Sequence, residues 1–153
     1  MTVDVIGMDH IYISVSNLEL SEVFYDKVMS LLGFIKSKAP IGEDPHIHYF
    51  NRHYGFSIRP ARNPDKKFDS YSPGLHHFCF RVDSIEDVNK VADGLGVFDI
   101  KYDKPKYYLE YSPDYYAVFF TDPDGIRLEV TNFRQNRRER YNNWETVKNK
   151  CFD

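Results

Sequence analysis

Two stretches of this 153-residue chain repeat one strand with a histidine at its head, and that repeat constrains the fold more than any single residue. Asp9-His10-Ile11-Tyr12-Ile13-Ser14-Val15 returns as His76-His77-Phe78-Cys79-Phe80-Arg81-Val82, with His10 and His77 standing 67 positions apart. Ser16-Asn17-Leu18-Glu19 and Asp83-Ser84-Ile85-Glu86 follow at the same offset. A third match sets Tyr54–Arg59 against Asp124–Glu129 at an offset of 70, which pairs Arg59 with Glu129. A repeat of this length means two copies of one supersecondary unit about a pseudo-twofold axis.

Hydrophobic patterning fills in each copy. Ile11, Ile13 and Val15 alternate with His10, Tyr12 and Ser14, as a half-buried strand requires. Ser16 with Glu19 forms a capping box, and Leu20, Val23, Phe24, Val28 and Leu31 recur at helical spacing until Gly33. Strands are expected at 34–38, 46–51 and 55–60, so the unit reads β-α-β-β-β. Asn63 to Gly74 is the linker. The second copy has a strand over 76–82 and a helix near 85–95, capped by Asp83 with Glu86 and striped by Ile85, Val88, Val91, Ala92 and Leu95. Strands near 98–102, 115–121 and 125–131 complete it. The expected domain is 1–132, with modules at about 7–62 and 74–132. Residues 133–153, with Arg134, Arg137, Arg138 and Arg140, read as a polar, solvated tail or helix.

Strand parity places His10, His77 and Glu129 on the polar faces, opposite Phe78 and Phe80 and opposite Leu128 and Val130. Those faces also gather Arg59, Arg81, Arg127, Cys79 and Tyr12, too chemically specific a set for plain solvent, so they read as the wall of a cavity. Two imidazoles and a carboxylate suit a divalent ion and leave coordination positions open. Parity sets His76 with Phe78 on the helix side, and His46, His48 and His53 read as surface or packing residues. Arg59, Tyr49, Ser57 and Phe119 are candidate substrate contacts. Asp122 and Asp124 read as turn-formers.

Composition prunes the function classes. A net charge of −3 gives no basic field for nucleic acid. The longest apolar runs are strand-sized, and no basic segment with an apolar follower marks a signal peptide, so a cytoplasmic location is expected. The two cysteines, Cys79 and Cys151, have no metal-type spacing and do not form a disulfide framework.

These residues resemble the vicinal oxygen chelate superfamily, which holds glyoxalase I, bleomycin-resistance proteins, fosfomycin-resistance transferases and extradiol dioxygenases. The resemblance spans about residues 7–132 and is most specific at Asp9-His10-Ile11, Gly74–Phe80 and Asp122–Glu129. It implies an α+β fold in which two tandem βαβββ modules form curved mixed sheets around a metal-containing cavity, often in a homodimer. It implies that His10, His77 and Glu129 are the metal ligands, the ion being Zn, Ni, Mn or Fe. Glu129, displaced from the ion, is the candidate for catalytic proton transfer.

Departures from the subfamilies narrow the activity. Glyoxalase I carries a fourth ligand where Arg59 stands, and a guanidinium cannot ligate a cation. Arg59 would instead hold a substrate carboxylate or phosphate, or pair inside the protein. The segment 107–114 does not resemble the potassium loop of fosfomycin transferases, and no additional histidine lies between His77 and Glu129 as in extradiol dioxygenases. The expected function is a divalent-metal-dependent, glyoxalase-like lyase, isomerase or transferase step on a small oxygen-bearing substrate, anionic if Arg59 contacts it. The alternatives are a non-catalytic small-molecule binding or resistance protein, then an Fe(II) dioxygenase. Loops 39–54 and 103–115, which have no readable motif, are expected to shape the cavity.

Overall fold

A computed structural model of the chain describes residues 3–150, Lys150 by its backbone alone, so Cys151 lies outside the described residues. Two four-stranded mixed sheets carry the repeat, in an α+β arrangement. The first holds β1 (His10–Val15), β2 (Ile35–Lys38), β3 (Ile47–Phe50) and β4 (Gly55–Pro60), in the order β1-β4-β3-β2. The second holds β5 (His77–Val82), β6 (Lys106–Tyr107), β7 (Tyr116–Thr121) and β8 (Arg127–Asn132), in the order β5-β8-β7-β6. In each, the outer strand of the repeat runs parallel to its neighbour, β1 to β4 and β5 to β8. Only a crossover helix allows this. Those helices are α1 (Leu18–Leu31) and α2 (Ile85–Val97). Helices α3 (Gln135–Asn142) and α4 (Trp144–Lys150) follow β8, and no described helix is long and apolar enough to cross a membrane.

The chain divides into two compact units. One takes in the chain up to His76 with Thr121–Ile126, and the other His77–Phe120 with the chain from Arg127 onward. In the first, Tyr25, Val28 and Met29 of α1 are buried with Ile13, Val15, Phe56 and Ile58 of the sheet. Tyr25 donates to Asp122 Oδ2 at 2.9 Å, while Asp122 Oδ1 accepts from the Asp124 and Ile126 N–H groups, which makes Asp122 the organiser of its turn. In the second unit Val88, Val91, Ala92 and Leu95 are buried with Leu128 and Val130, as their spacing predicts.

α2 starts at Ile85, as expected, but in both helices the capping residue lies one position later than expected. Asn17 caps α1 by accepting from Leu20 N–H at 2.9 Å, and Ser84 caps α2 by accepting from Asp87 N–H at 3.1 Å. Ser16 instead turns both its backbone N–H and its hydroxyl to the Asp124 carboxylate. The buried stripe of α1 is Ser21, Tyr25, Val28 and Met29, while the expected Leu20 and Val23 are 56% and 58% exposed. Both helices close alike: Phe34 N–H reaches Met29 C=O at 2.8 Å and Ile100 N–H reaches Leu95 C=O at 2.9 Å. The left-handed residue inside each closure is Gly33 at φ 77° but Asp99 at φ 56°.

Two further expectations are corrected. The strand near 98–102 reduces to one bridge, Tyr102 with Phe120, and the strand itself forms at Lys106–Tyr107. The register also revises the third repeat offset. Tyr12 lies opposite Ser57 and Cys79 opposite Glu129, so the first-sheet counterpart of Glu129 is Ser57, at an offset of 72; the counterpart of Arg59 is Thr131.

Candidate metal centre

The polar face of the second sheet assembles around a buried carboxylate. Glu129, in the middle of β8, is only 1% exposed because Leu128 and Val130 on either side anchor the strand to α2 while parity turns Glu129 the other way. Its Oε2 lies 3.2 Å from Nε2 of His77, at the head of β5. Its Oε1 accepts from the Tyr115 hydroxyl at 2.5 Å. Burial first, and the bond to Glu129 second, raise the Tyr115 hydroxyl above its ordinary range, so it remains a donor. Cys79, directly opposite Glu129, keeps an exposed edge, yet desolvation and then the Glu129 charge push its thiol up to about 12. It is therefore a thiol at neutral pH, neither an activated nucleophile nor a thiolate ligand.

His10 belongs to the other unit and is exposed. Its Nδ1 is 2.7 Å from Asp9 Oδ2. A carboxylate there fixes the proton on Nδ1 and leaves the Nε2 lone pair outward, the arrangement that metal-bound histidines commonly show. Among the described residues no three His, Cys, Asp or Glu side chains are gathered to hold an ion. Within the second unit the donor chemistry nevertheless fits a divalent metal: a buried carboxylate oriented by a phenol, and an imidazole converging on it.

The four expected substrate contacts fare differently. Phe119 is buried beneath the Arg127 guanidinium, 4.1 Å above its ring, and packs edge-on against Tyr108, on the same face as Glu129. Ser57 is buried and hydrogen-bonded to His48 Nδ1 at 2.8 Å. Arg59 is ion-paired with Asp44 through its Nη2, so the internal pairing is the one realised. Tyr49 is a correction. Its register places it opposite Phe56, it is 2% exposed, and its hydroxyl donates to Asp26 of α1 at 2.8 Å. Tyr49 is a core residue, because β3 pairs antiparallel with β4 in a register that turns His48, not Tyr49, toward Ser57.

Several residues escaped the sequence reading. His46 and His48, expected as surface or packing residues, do pack, but on each other: they lie stacked, 5.7 Å apart and 7° from parallel, with Tyr12 edge-on to both. Their H-x-H spacing on a strand was the available signal. Tyr115 shares parity with Phe119 and could have been found by it. His76, expected to pack toward a helix, is exposed and sits edge-on to Tyr71. A cavity of about 880 Å³ in the first unit runs beside Tyr12 and Ser14 and is walled by Lys66, Phe68 and Leu75, so the linker shapes it, and the expected loops 39–54 and 103–115 do not line it.

Residues 7–130 match the model of the Glyoxalase/Bleomycin resistance protein/Dioxygenase superfamily, and the chain belongs to that superfamily. Solved structures share the fold. A glyoxalase family protein from Enterococcus faecalis superposes with a TM-score of 0.63 at 25% identity over 80% of this chain and 94% of its own. The lactoylglutathione lyase from Agrobacterium tumefaciens gives 0.59 at 18% identity, over 86% and 96%. The fosfomycin resistance protein FosX from Listeria monocytogenes gives 0.67 at 13% identity, over 90% and 99%. No curated protein matches the chain.

Proposed function

We propose that this protein is a divalent-metal-dependent, glyoxalase-like enzyme that carries out a lyase, isomerase or transferase step on a small oxygen-bearing substrate. The observation that carries the reading is the convergence of His77 Nε2 and Tyr115 on the two oxygens of buried Glu129. His10, His77 and Glu129 would hold the ion, and two imidazoles with a carboxylate suit Zn, Ni, Mn or Fe. Such a cation supplies Lewis-acid stabilisation of negative charge developing on a substrate oxygen.

The chain's own residues do the rest. Tyr115 fixes one Glu129 oxygen and leaves the other to face the imidazole, so the carboxylate is oriented before anything binds. Glu129, if it lets go of the ion, is the base available to take a substrate proton. Phe119 and Tyr108 give the same face an apolar floor against which a substrate carbon would rest. We further propose a homodimer.

Metal analysis and titration with Zn, Ni, Mn and Fe(II) test this. The expected result is one ion per chain, with affinity lost in His10→Ala, His77→Ala and Glu129→Gln. Iron with O₂ consumption selects the dioxygenase reading. Absence of binding by every metal leaves the non-catalytic binding protein, for which the cavity beside Tyr12 is the favouring observation. Sedimentation at twice the 18.1 kDa chain mass is the expected result for the dimer.

A further inference from the structure

The tail residues read from sequence as a solvated basic stretch are not dispersed. Arg134, Arg137 and Arg138 are half-buried where α3 begins. Arg134 lays its guanidinium 4.4 Å over the Tyr115 ring, the same tyrosine that holds Glu129. Its Nε is buried and has no hydrogen-bond partner among the described residues. Arg81 of β5 and Arg138 sandwich Phe133 at 4.1 and 4.4 Å. Arg138 is neutralised by Asp83, through the carboxylate at 2.7 Å and the backbone carbonyl at 2.6 Å.

Among the described residues no ion pair joins Arg81, Arg134, Arg137 or Arg140 to a carboxylate. Arg134, Arg137 and Arg140 stand three residues apart at the start of and along α3, on neighbouring positions of one face, and desolvation, then the charges of Arg140, Arg134 and Arg81, lower Arg137 from its ordinary value. Two acids of this region hydrogen-bond other groups: Asp114, on which the Arg134 charge acts without an ion pair, accepts from Gln135 N–H and from Ser112, and Glu139 accepts from Gln135 Nε2. The first turn of α3 adds positive potential where carboxylates, not arginines, would stabilise it. A chain of net charge −3 thus concentrates uncompensated cations at one place.

We propose that Arg81, Arg134 and Arg137, with Arg140 at the rim, form an oxyanion subsite that takes the phosphoryl or carboxylate group of a small molecule. Aromatic faces under Arg81 and Arg134 preset their planes, so the N–H edges are ordered before the ligand arrives. Tyr115 links this subsite to Glu129, so on the enzyme reading above the oxyanion is the non-reacting end of the substrate. The subsite itself needs no metal.

Binding of inorganic phosphate, and separately of succinate, to the metal-free full chain at constant ionic strength tests the proposal, with ³¹P line broadening and calorimetry as readouts. Saturable phosphate or succinate binding is expected, the stronger of the two naming the group. Arg134→Gln and Arg137→Gln should each weaken it about ten-fold, the loss of one charge-assisted hydrogen bond, while Arg62→Gln leaves it unchanged. Thermal melts confirm that the variants fold, and two independent substitutions guard against one that does not. No saturation, equal binding by the variants, or binding only of a 20-nucleotide RNA would overturn the subsite. Because metal is absent throughout, these outcomes are separable from failure of the metal centre.

Discussion

Tyr115 and Glu129 form the tightest polar contact on the second sheet's face, a phenol donating at 2.5 Å to a carboxylate oxygen that is itself buried. Tyr115→Phe removes this hydroxyl bond to the oxygen while keeping the ring that Arg134 covers. The expected result is a metal affinity lower by about 10–100-fold, the usual effect of losing an outer-shell partner. Calorimetric metal titration of the variant measures it, and an affinity within two-fold of the parent, by order of magnitude, would remove Tyr115 from the centre.

Asp99 occupies in α2 the left-handed position that Gly33 occupies in α1. The backbone hydrogen bonds around the two are matched, so the difference is one Cβ in a conformation that costs an L-residue about 1 kcal/mol. Asp99→Gly should therefore stabilise the chain by about 0.5–1 kcal/mol, and Gly33→Asp should destabilise it by a similar amount. Urea midpoints at constant slope provide the measurement.

Tyr49 separates a core role from a substrate role. Tyr49→Phe leaves the ring in place and deletes the hydroxyl bond to Asp26, so a loss of about 1 kcal/mol is expected. Ligand and metal affinity should not change. A variant of parental stability but weakened ligand binding would return Tyr49 to the site.

Glu22 sets an acid-side effect. Hydrogen bonds from Lys36 and then Lys38 hold its carboxyl below its ordinary 4.5. A depressed carboxylate contributes stability that is present above pH 4.5 and lost as pH falls through the folded-state value. The pair is largely solvated, so the contribution is below about 1 kcal/mol. Glu22→Gln should reduce stability at pH 7 and converge on the parent near pH 3, read from denaturant unfolding at both pH values.

Much of the fold was legible. The strands at His10 and His77, the apolar stripe of α2 and the stop at Gly33 all follow from local periodicity and turn chemistry. The helix caps lie one residue later than their spacing suggests because Ser16 and Asp83 are as able to cap as Asn17 and Ser84; Ser16 is claimed by Asp124, more than one hundred residues along the chain. The stripe of α1 was misread because Leu20 and Val23 fit the helical period as well as Ser21 and Tyr25 do, and only the turn at Asp122 makes the Tyr25 side the inner one.

By itself the sequence determined the repeat, the alternation of each strand and the residue types on its polar face, since these depend on neighbours along the chain. Only the tertiary structure decided register and partnership: that Ser57, not Arg59, stands where Glu129 stands, that Arg59 is spent on Asp44, that Tyr49 faces α1, and that Arg134 of the tail lies over Tyr115. A strand shifted by two residues keeps its alternation intact, so periodicity cannot see the shift. Hydrogen-bond ladders and long-range charge crowding fix it instead.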